Sequence, residues 1–332
     1  MSMSKQYKAL SLLSGGLDSQ LAICVLREQG IHVEAITYRS PFFSTVKGEV
    51  AAQALGVKHH IIDFTEDILE QVVNPAHGLG NAMNPCIDCH AHMIMRAGEW
   101  MGKWGFDFIA TGEVLAQRPM SQNKQSLGVV ARCSKYEDLL VRPLCAALLP
   151  PTRPVREGWI DADKLPRFSG RSRTPQMELA RHFGITDYPT PAGGCLLTEE
   201  RFGRKLKDLL DHEGPDADRT NVWLLPTGRH MRLAGDVKII VGSCEEENEL
   251  LEEKAHPEDY RIACPDLPGP TVIAPPNAND AQLETAAAIC ARYAKTPKDR
   301  PCAVEISNKS GARIVEVVPM DPEAVKALMI TP

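Results

Sequence analysis

The chain has 332 residues, a formal net charge of −6 and a hydrophobic fraction of 43%. That length suits two domains better than one core. The charge excludes nucleic-acid binding as a global property, so any basic surface is local. No apolar run reaches the ~18 residues of a membrane span. Ten cysteines behind a polar start at residues 1–7 point to a reducing cytoplasm, where thiols are core residues, catalysts or metal ligands.

Residues 9–13 form an apolar run that reads as a short buried strand. Residues 20–30 are apolar at helical spacing and stop at Gly30. Between them stands Ser14-Gly15-Gly16-Leu17-Asp18-Ser19, a strand–turn–helix junction. Such a junction leaves backbone N–H groups open at a helix N-terminus, where the dipole favours an anion. Gly15 and Gly16 let the backbone close on a phosphate, and Ser14 and Ser19 add hydroxyl donors. Asp18 would repel a bare phosphate; it reads either as a cap or as a partner for a bridging Mg²⁺.

Further strands are expected at 32–38, 57–64, 106–111 and 139–144, with helices at 46–55, 66–73 and 88–104. The alternation predicts an α/β domain with a doubly wound parallel sheet and its ligands at the carboxyl ends of the strands. Tyr38, closing the second strand, either meets an adenine or packs in the core. Residues 149–154 carry three prolines and read as a stiff connector. From Arg153 to Arg181 there are seven Arg or Lys against four acids, and Arg201, Arg204, Lys205 and Lys207 continue the pattern. Segment 150–210 is thus the candidate surface for a polyanion. Residues 211–218 are acidic with Gly and Pro and read as a linker between domains 1–212 and 220–332. The second domain carries strands at 238–241, 261–263, 271–274, 302–306 and 314–318 and a helix at 281–293, a smaller α+β unit.

Cys86 and Cys89, in Asn84-Pro85-Cys86-Ile87-Asp88-Cys89-His90, are spaced to share one side of a forming helix turn. A helix N-terminus lowers a thiol's pKa, so both are candidate ligands or nucleophiles. Cys195 sits in Pro189-Thr190-Pro191-Ala192-Gly193-Gly194-Cys195, an irregular loop unusual for a core cysteine. Cys24, Cys133, Cys145, Cys244, Cys264, Cys290 and Cys302 read as small buried hydrophobes. Three chemistries fit the first set: zinc with His90 or His92 as fourth ligand, an iron–sulfur cluster, or no metal, with Cys89 and Cys195 passing sulfur as a persulfide and closing a disulfide. Asp88 beside them is either a cap or a proton carrier.

The hexamer at 14–19 resembles the SGGxDS signature of the PP-loop ATP pyrophosphatases, the adenine nucleotide α-hydrolase-like fold. That resemblance implies cleavage of ATP to AMP and pyrophosphate, with adenylation of a carbonyl oxygen and the phosphates held by Ser14, Gly15, Gly16, Asp18 and Ser19. Residues 84–89 and Gly194-Cys195 look like the cysteine segments of the tRNA 2-thiouridine synthases. Carried over, Cys89 and Cys195 are catalytic, and Cys86, Cys89 and Cys195 form a set suited to a 4Fe–4S cluster. Thr111-Gly112-Glu113-Val114-Leu115-Ala116-Gln117 and Val141-Arg142-Pro143-Leu144 look more like the tRNA 4-thiouridine synthases, which implies nucleotide contacts at Thr111 and Gly112. In the second domain, Gly228-Arg229-His230-Met231-Arg232-Leu233 and residues 239–249 and 288–295 are similar to the NFACT RNA-binding domain. There the stretch from Cys244 to Tyr260 has eight acids against one Lys, so Arg229, Arg232, Arg292, Lys295 and Lys298 are the better phosphate contacts.

The resemblances together imply an ATP-dependent tRNA sulfurtransferase that adenylates a uridine carbonyl and replaces its oxygen with sulfur. The implied ligands are ATP, Mg²⁺ and a 4Fe–4S cluster, with zinc or no metal as alternatives. The implied partners are tRNA and a sulfur donor, either a cysteine desulfurase or inorganic sulfide; a homodimer stays open. Two other readings compete: a PP-loop ligase or amidase acting on a small acid with structural zinc, and a non-catalytic RNA-binding protein.

Overall fold

A computed structural model describes residues 5–118, 120–189 and 194–331. The chain divides into two compact units, residues 1–195 and 196–332. The break falls earlier than the acidic stretch at 211–218 expected as the linker, because a helix runs through its first residues to Glu213.

In the first unit the order is β1 (Lys8–Leu12), α1 (Leu17–Glu28), β2 (His32–Arg39), α2 (Val46–Leu55), β3 (His59–Asp63), α3 (Thr65–Val73), α4 (Cys86–Trp104), β4 (Phe108–Ala110), α5 (Lys124–Cys133), β5 (Leu140–Val141), α6 (Arg153–Arg156) and α7 (Thr174–His182). The sheet order is β3-β2-β1-β4-β5 and every pairing is parallel, from Lys8↔His32 to Ala110↔Val141. The chain therefore winds outward from β1 in one direction through β2 and β3, then crosses back to β4 on the other side. Parallel pairing requires each crossover to be long enough for a helix. The switch in direction opens a crevice above the carboxyl ends of β1 and β4, where ligands of such sheets bind. Leu13, Leu17, Leu21, Phe108, Val141 and Ala180 belong to one buried apolar cluster that holds this edge together.

Two elements differ from expectation for local reasons. β5 has two residues instead of six, since Pro143 cannot donate to a ladder. Helix α5 was not expected, yet Asn123 caps it by accepting from Ser126 N–H at 2.8 Å.

The second unit runs α8 (Glu200–Glu213), α9 (Arg219–Leu224), β6 (Arg229–Arg232), β7 (Lys238–Val241), α10 (Glu245–Lys254), β8 (Tyr260–Ala263), β9 (Val272–Ala274), α11 (Asp280–Tyr293), β10 (Cys302–Asn308), β11 (Gly311–Val317) and α12 (Pro322–Leu328). Its six strands are ordered β11-β10-β8-β9-β7-β6 and pair antiparallel throughout. One buried cluster joins α11 to strand residues such as Val241, Ile262 and Val304. A smaller one, with Leu224, Ile240, Leu251 and Ile273, joins α9 and α10 to β7 and β9. This is the expected α+β unit, with one strand and several helices more than the apolar runs indicated. The acid run at 245–254 folds as α10, with Glu245, Glu246 and Glu247 in its first turn where the dipole favours them.

Candidate active site

The junction at 14–19 leaves β1 and enters α1 at the switch crevice. Gly15 has φ +77°, and a Cβ there would lie 2.3 Å from the Lys47 backbone, so only glycine fits. The helix N-cap is Gly16, and no side chain caps it. Ser19 Oγ instead donates to Gly16 O at 2.8 Å, Gly16 N–H donates to Ser14 Oγ at 3.3 Å, and Gln20 Nε2 donates to Gly15 O at 3.0 Å. The loop is rigid from within, while the first-turn N–H groups keep no side-chain acceptor. Asp18 is therefore not a cap.

The loop after β4 closes on the same point. A Cβ on Gly112 would lie 2.5 Å from Ser19 N, so this glycine is fixed by its approach to the first turn of α1. Ala116 takes a left-handed φ of +61°, a strained state for a residue with a Cβ. Gln117 follows it and donates from Nε2 to Asp18 Oδ2 at 2.9 Å. Asp18 Oδ1 is buried and has no hydrogen-bond partner. Burial pushes the Asp18 carboxyl above its ordinary range, against the pull of Gln117, Arg173, Arg118 and the nearby Gln176 side chain. Gln117 Oε1, both amide atoms of Gln176, and Arg173 Nε are buried without partners as well. Buried polar groups are normally paired, so this group of orphans marks a place where a ligand completes the bonding. An unpaired carboxylate oxygen is also the donor type that Mg²⁺ takes. Arg173, read from sequence as part of the basic RNA-facing stretch, thus lies within electrostatic reach of Asp18.

Thr111 and Tyr38, the latter read as either an adenine contact or a core residue, both have partners within the protein. Thr111 Oγ1 donates to Glu113 Oε2 at 3.0 Å. Tyr38 is buried, donates its hydroxyl to Met93 O at 2.7 Å and packs its ring on Phe64. It supports the site from the core. Glu113 was not singled out by sequence, yet it organises this edge. Its Oε2 accepts from Arg142 Nε at 2.8 Å, and its Oε1 lies 3.6 Å from His90 Nδ1. Burial acts to raise this carboxyl, but the Arg142 guanidinium and His90 outweigh it and hold Glu113 well below the usual carboxylate range.

Cys86 and Cys89 open α4, and Cys89 N–H donates to Pro85 O at 2.8 Å. Asn84 Nδ2 reaches Cys86 Sγ at 3.3 Å, while Asn84 O accepts from Gly80 N–H at 2.9 Å, which ties the preceding loop to the thiol. Burial pushes the Cys89 thiol well up, and Cys195, Cys86 and Asp88 all lie within electrostatic reach and add to the shift. Cys86 and Cys195, singled out from distant sequence, therefore both lie within electrostatic reach of Cys89. Residues 190–193 of the proline–glycine loop before Cys195 lie outside the described residues. Among the described residues, no group of three or more His, Cys, Asp or Glu side chains forms a metal-binding set. His92 is committed elsewhere, to Asp67 at 2.8 Å. Asp88 does not cap α4, whose N-cap is Pro85. Its two oxygens meet His77, at 2.9 Å to the backbone N–H and 2.5 Å to Nδ1. Cys133, expected to be buried, is exposed and lies 4.0 Å from His77 Nε2. Cys244 is exposed too, Cys24 and Cys302 are half-buried, and Cys145, Cys264 and Cys290 are buried as expected.

Several basic residues expected to meet RNA are used inside the second unit. Lys298 donates to the carbonyls of Ala291, Arg292 and Ala294, closing the C-terminal end of α11. Lys205 is half-buried and donates to Leu225 O and Gly228 O. Arg232 pairs with Asp208. Arg229 stacks over the Tyr293 ring at 4.7 Å. A cavity of about 570 Å³ beside α11 and α12, lined by Leu233, Gln282, Thr285, Met320 and Leu328, carries no charged side chain. No helix of the described residues is long and apolar enough to cross a membrane.

Comparison with known proteins gives each unit a counterpart. Residues 7–135 match the tRNA methyl transferase HUP domain, and residues 228–329 match the NFACT protein RNA binding domain. The tRNA-specific 2-thiouridylase MnmA of Cytophaga hutchinsonii is 30% identical over 133 residues, covering 33% of this chain and 35% of the relative. That of Sulfurimonas denitrificans is 34% identical over 125 residues, covering 34% and 36%. A longer match, 23% over 242 residues, joins 64% of this chain to 59% of the tRNA-specific 2-thiouridylase MnmA 1 of Syntrophus aciditrophicus. The chain thus spans about a third of the length of the first two relatives. A crystal structure of a 4-thiouridine synthetase–RNA complex with bound ATP is similar at TM-score 0.39 and 22% identity, covering 54% of this chain and 41% of that one.

Proposed function

We propose that this protein is an ATP-dependent tRNA sulfurtransferase. The observation that carries the reading is the group of unpaired buried polar atoms around Asp18, at the switch crevice and one turn from an uncapped helix N-terminus. A triphosphate on the 14–19 loop would accept from the open first-turn N–H groups. Asp18 Oδ1 would hold the Mg²⁺ that screens the phosphates. A uridine carbonyl oxygen then attacks the α-phosphorus in line, pyrophosphate leaves, and the base is O-adenylated. The loop N–H groups meet charge developing on the departing oxygens.

Sulfur then replaces the activated oxygen. A persulfide on Cys89 attacks the adenylated carbon through its outer sulfur, and AMP leaves with the carbonyl oxygen. Cys195 thiolate attacks the remaining Cys89 sulfur, so the S–S bond to the base-bound sulfur breaks and a Cys89–Cys195 disulfide forms. A cellular dithiol reopens that disulfide. The proximity of Cys195 and Cys86 to Cys89 supports this assignment. The same proximity favours a second reading, in which the three thiolates hold a 4Fe–4S cluster. The described side chains do not form a metal set, so no step is drawn through one. The match of the second unit to an RNA-binding domain supports tRNA as the partner.

Mass spectrometry of tRNA nucleosides from a deletion strain tests the assignment. Loss of one thiolated uridine is expected, and an unchanged nucleoside profile would reject tRNA as the substrate. Iron and labile sulfide in anaerobically purified protein decide the cluster, and colourless protein without iron removes it.

A further inference from the structure

Cys133, His77 and Asp88 come from three segments: the last residue of α5, the loop after α3, and the first turn of α4. Asp88 is a buried carboxylate with both oxygens committed to His77. The backbone N–H of His77 fixes one oxygen, and the ring Nδ1 faces the other at 2.5 Å. A carboxylate at Nδ1 requires the proton there, which leaves Nε2 with its lone pair free to accept. The group facing Nε2 is Cys133 Sγ, at 4.0 Å. A nucleophile, a base and a buried carboxylate that orients the base are thus in line, the arrangement that activates thiols and hydroxyls elsewhere. A helix C-terminus is the wrong end for an anion. The exposed Arg132 and Lys135 on either side of Cys133 oppose that. Lys135, two residues past Cys133, takes a left-handed φ of +64° where the chain leaves α5.

We infer that Cys133 is the entry point for sulfur: it accepts the outer sulfur of a persulfide carried by a donor, with His77 as base and Asp88 as the positioning residue. The inference rests on the sulfur-transfer reading given above. His77 Nε2 takes the Cys133 proton, and the thiolate attacks the outer sulfur of the donor persulfide. The donor S–S bond breaks, and the donor leaves as a thiol with the proton from His77. The net change is R–S–SH plus Cys133–SH to R–SH plus Cys133–S–SH, with no electrons gained or lost. Asp88 lies one residue from Cys89, so the positioning residue stands on the same helix turn as the cysteines assigned to the base. The exposure of Cys133 suits a protein-borne donor; Cys89, only 8% exposed, does not.

Glutathione persulfide is the probe, and the readout is the mass of the Cys133 peptide in the intact protein. The peptide is expected to gain one sulfur, and His77→Ala to slow that gain roughly 100-fold, the size of a general-base contribution. Asp88→Asn should slow it as well in the wild-type background but add nothing to His77→Ala, because it acts only through His77. In thiolation assays Cys133→Ser should lower the persulfide-driven rate by about tenfold or more relative to the rate with inorganic sulfide, whose HS⁻ attacks the adenylated carbon directly, displaces AMP and needs no Cys133. A Cys133 peptide that gains no sulfur overturns the inference, as does an unchanged persulfide-to-sulfide ratio. If the wild-type protein thiolates no RNA from either source, the sulfurtransferase reading fails. The sulfur gain at Cys133 is read separately and stands or falls by its own mass.

Discussion

The loops after β1 and β4 meet at one sheet edge, and each holds a carboxylate. Glu113 Oε2 is met by an opposite charge in direct contact, Arg142 at 2.8 Å, and by Thr111, while its Oε1 is buried without a hydrogen bond, 3.6 Å from His90. Asp18 has only a neutral side chain in direct contact on one oxygen, Gln117, while its other oxygen is buried without a hydrogen bond and Gln176, Arg173 and Arg118 lie within reach of the carboxylate. The first carboxylate is a strut and the second is an open valence. The contrast teaches how to separate structure from function among buried charges. A buried charge held in a direct ion pair is compensated within the fold, and one without an opposite charge in contact costs stability unless something outside the chain pairs with it.

The contrast can be broken at its structural side first. Glu113→Gln leaves Arg142 buried with its charge unanswered, and should cost about 3–5 kcal/mol of unfolding free energy, read by urea titration. A loss below about 1 kcal/mol would mean that the pair is solvated and that Glu113 is no strut. Next comes the functional side. Asp18→Ala should reduce pyrophosphate release on the order of 100–1000-fold while leaving the urea midpoint intact. Parallel loss of activity and fold would make Asp18 structural.

Acid sharpens the distinction. The Glu113 carboxyl is held below its ordinary value, so its stabilisation is complete above the unfolded value of roughly 4.3 and is lost as pH falls through the lower folded value. The gap between wild type and Glu113→Gln should therefore be widest near neutrality and shrink in acid; a gap independent of pH would contradict the pairing. Asp18 has the opposite sign. Its carboxyl is raised by burial, so its charged form weighs against the native state above that raised value. Asp18→Asn, which keeps the shape and the Gln117 bond, should stabilise the apoprotein at neutral pH by about 1 kcal/mol while abolishing pyrophosphate release. A lower thermal midpoint for this variant would count against the open-valence reading.

Much of the frame was legible in the chain order alone. Alternating apolar strands and helices specify a parallel sheet because only helical crossovers can join parallel neighbours, and the glycine turn at 14–19 marks the strand–helix junction that faces a phosphate. The second unit was legible as α+β, but α10 and β6 were not, because an acid run and an arginine-flanked tetrapeptide lack the apolar periodicity that signals helix or strand.

Side-chain partnership was not legible, for a physical reason. A carboxylate, a thiol or an ammonium reads the same in sequence whether its partner is solvent, a carbonyl or another chain. Lys298 and Lys205 carry the charge of RNA contacts but are spent on backbone carbonyls. Cys133 follows the apolar stretch 127–131, yet it ends α5 on the surface facing His77 across 56 positions of sequence. Glu113 and Arg142 are 29 positions apart and Gln117 is 99 from Asp18. The sequence by itself determined that the chain has a glycine turn between a strand and a helix, a Cys-x-x-Cys pair and a second α+β unit, since each is written in contiguous residues. Which carboxylate is paired, which thiol is exposed and which cation is spent depend on contacts between segments that only folding brings together, and the tertiary structure alone decided them.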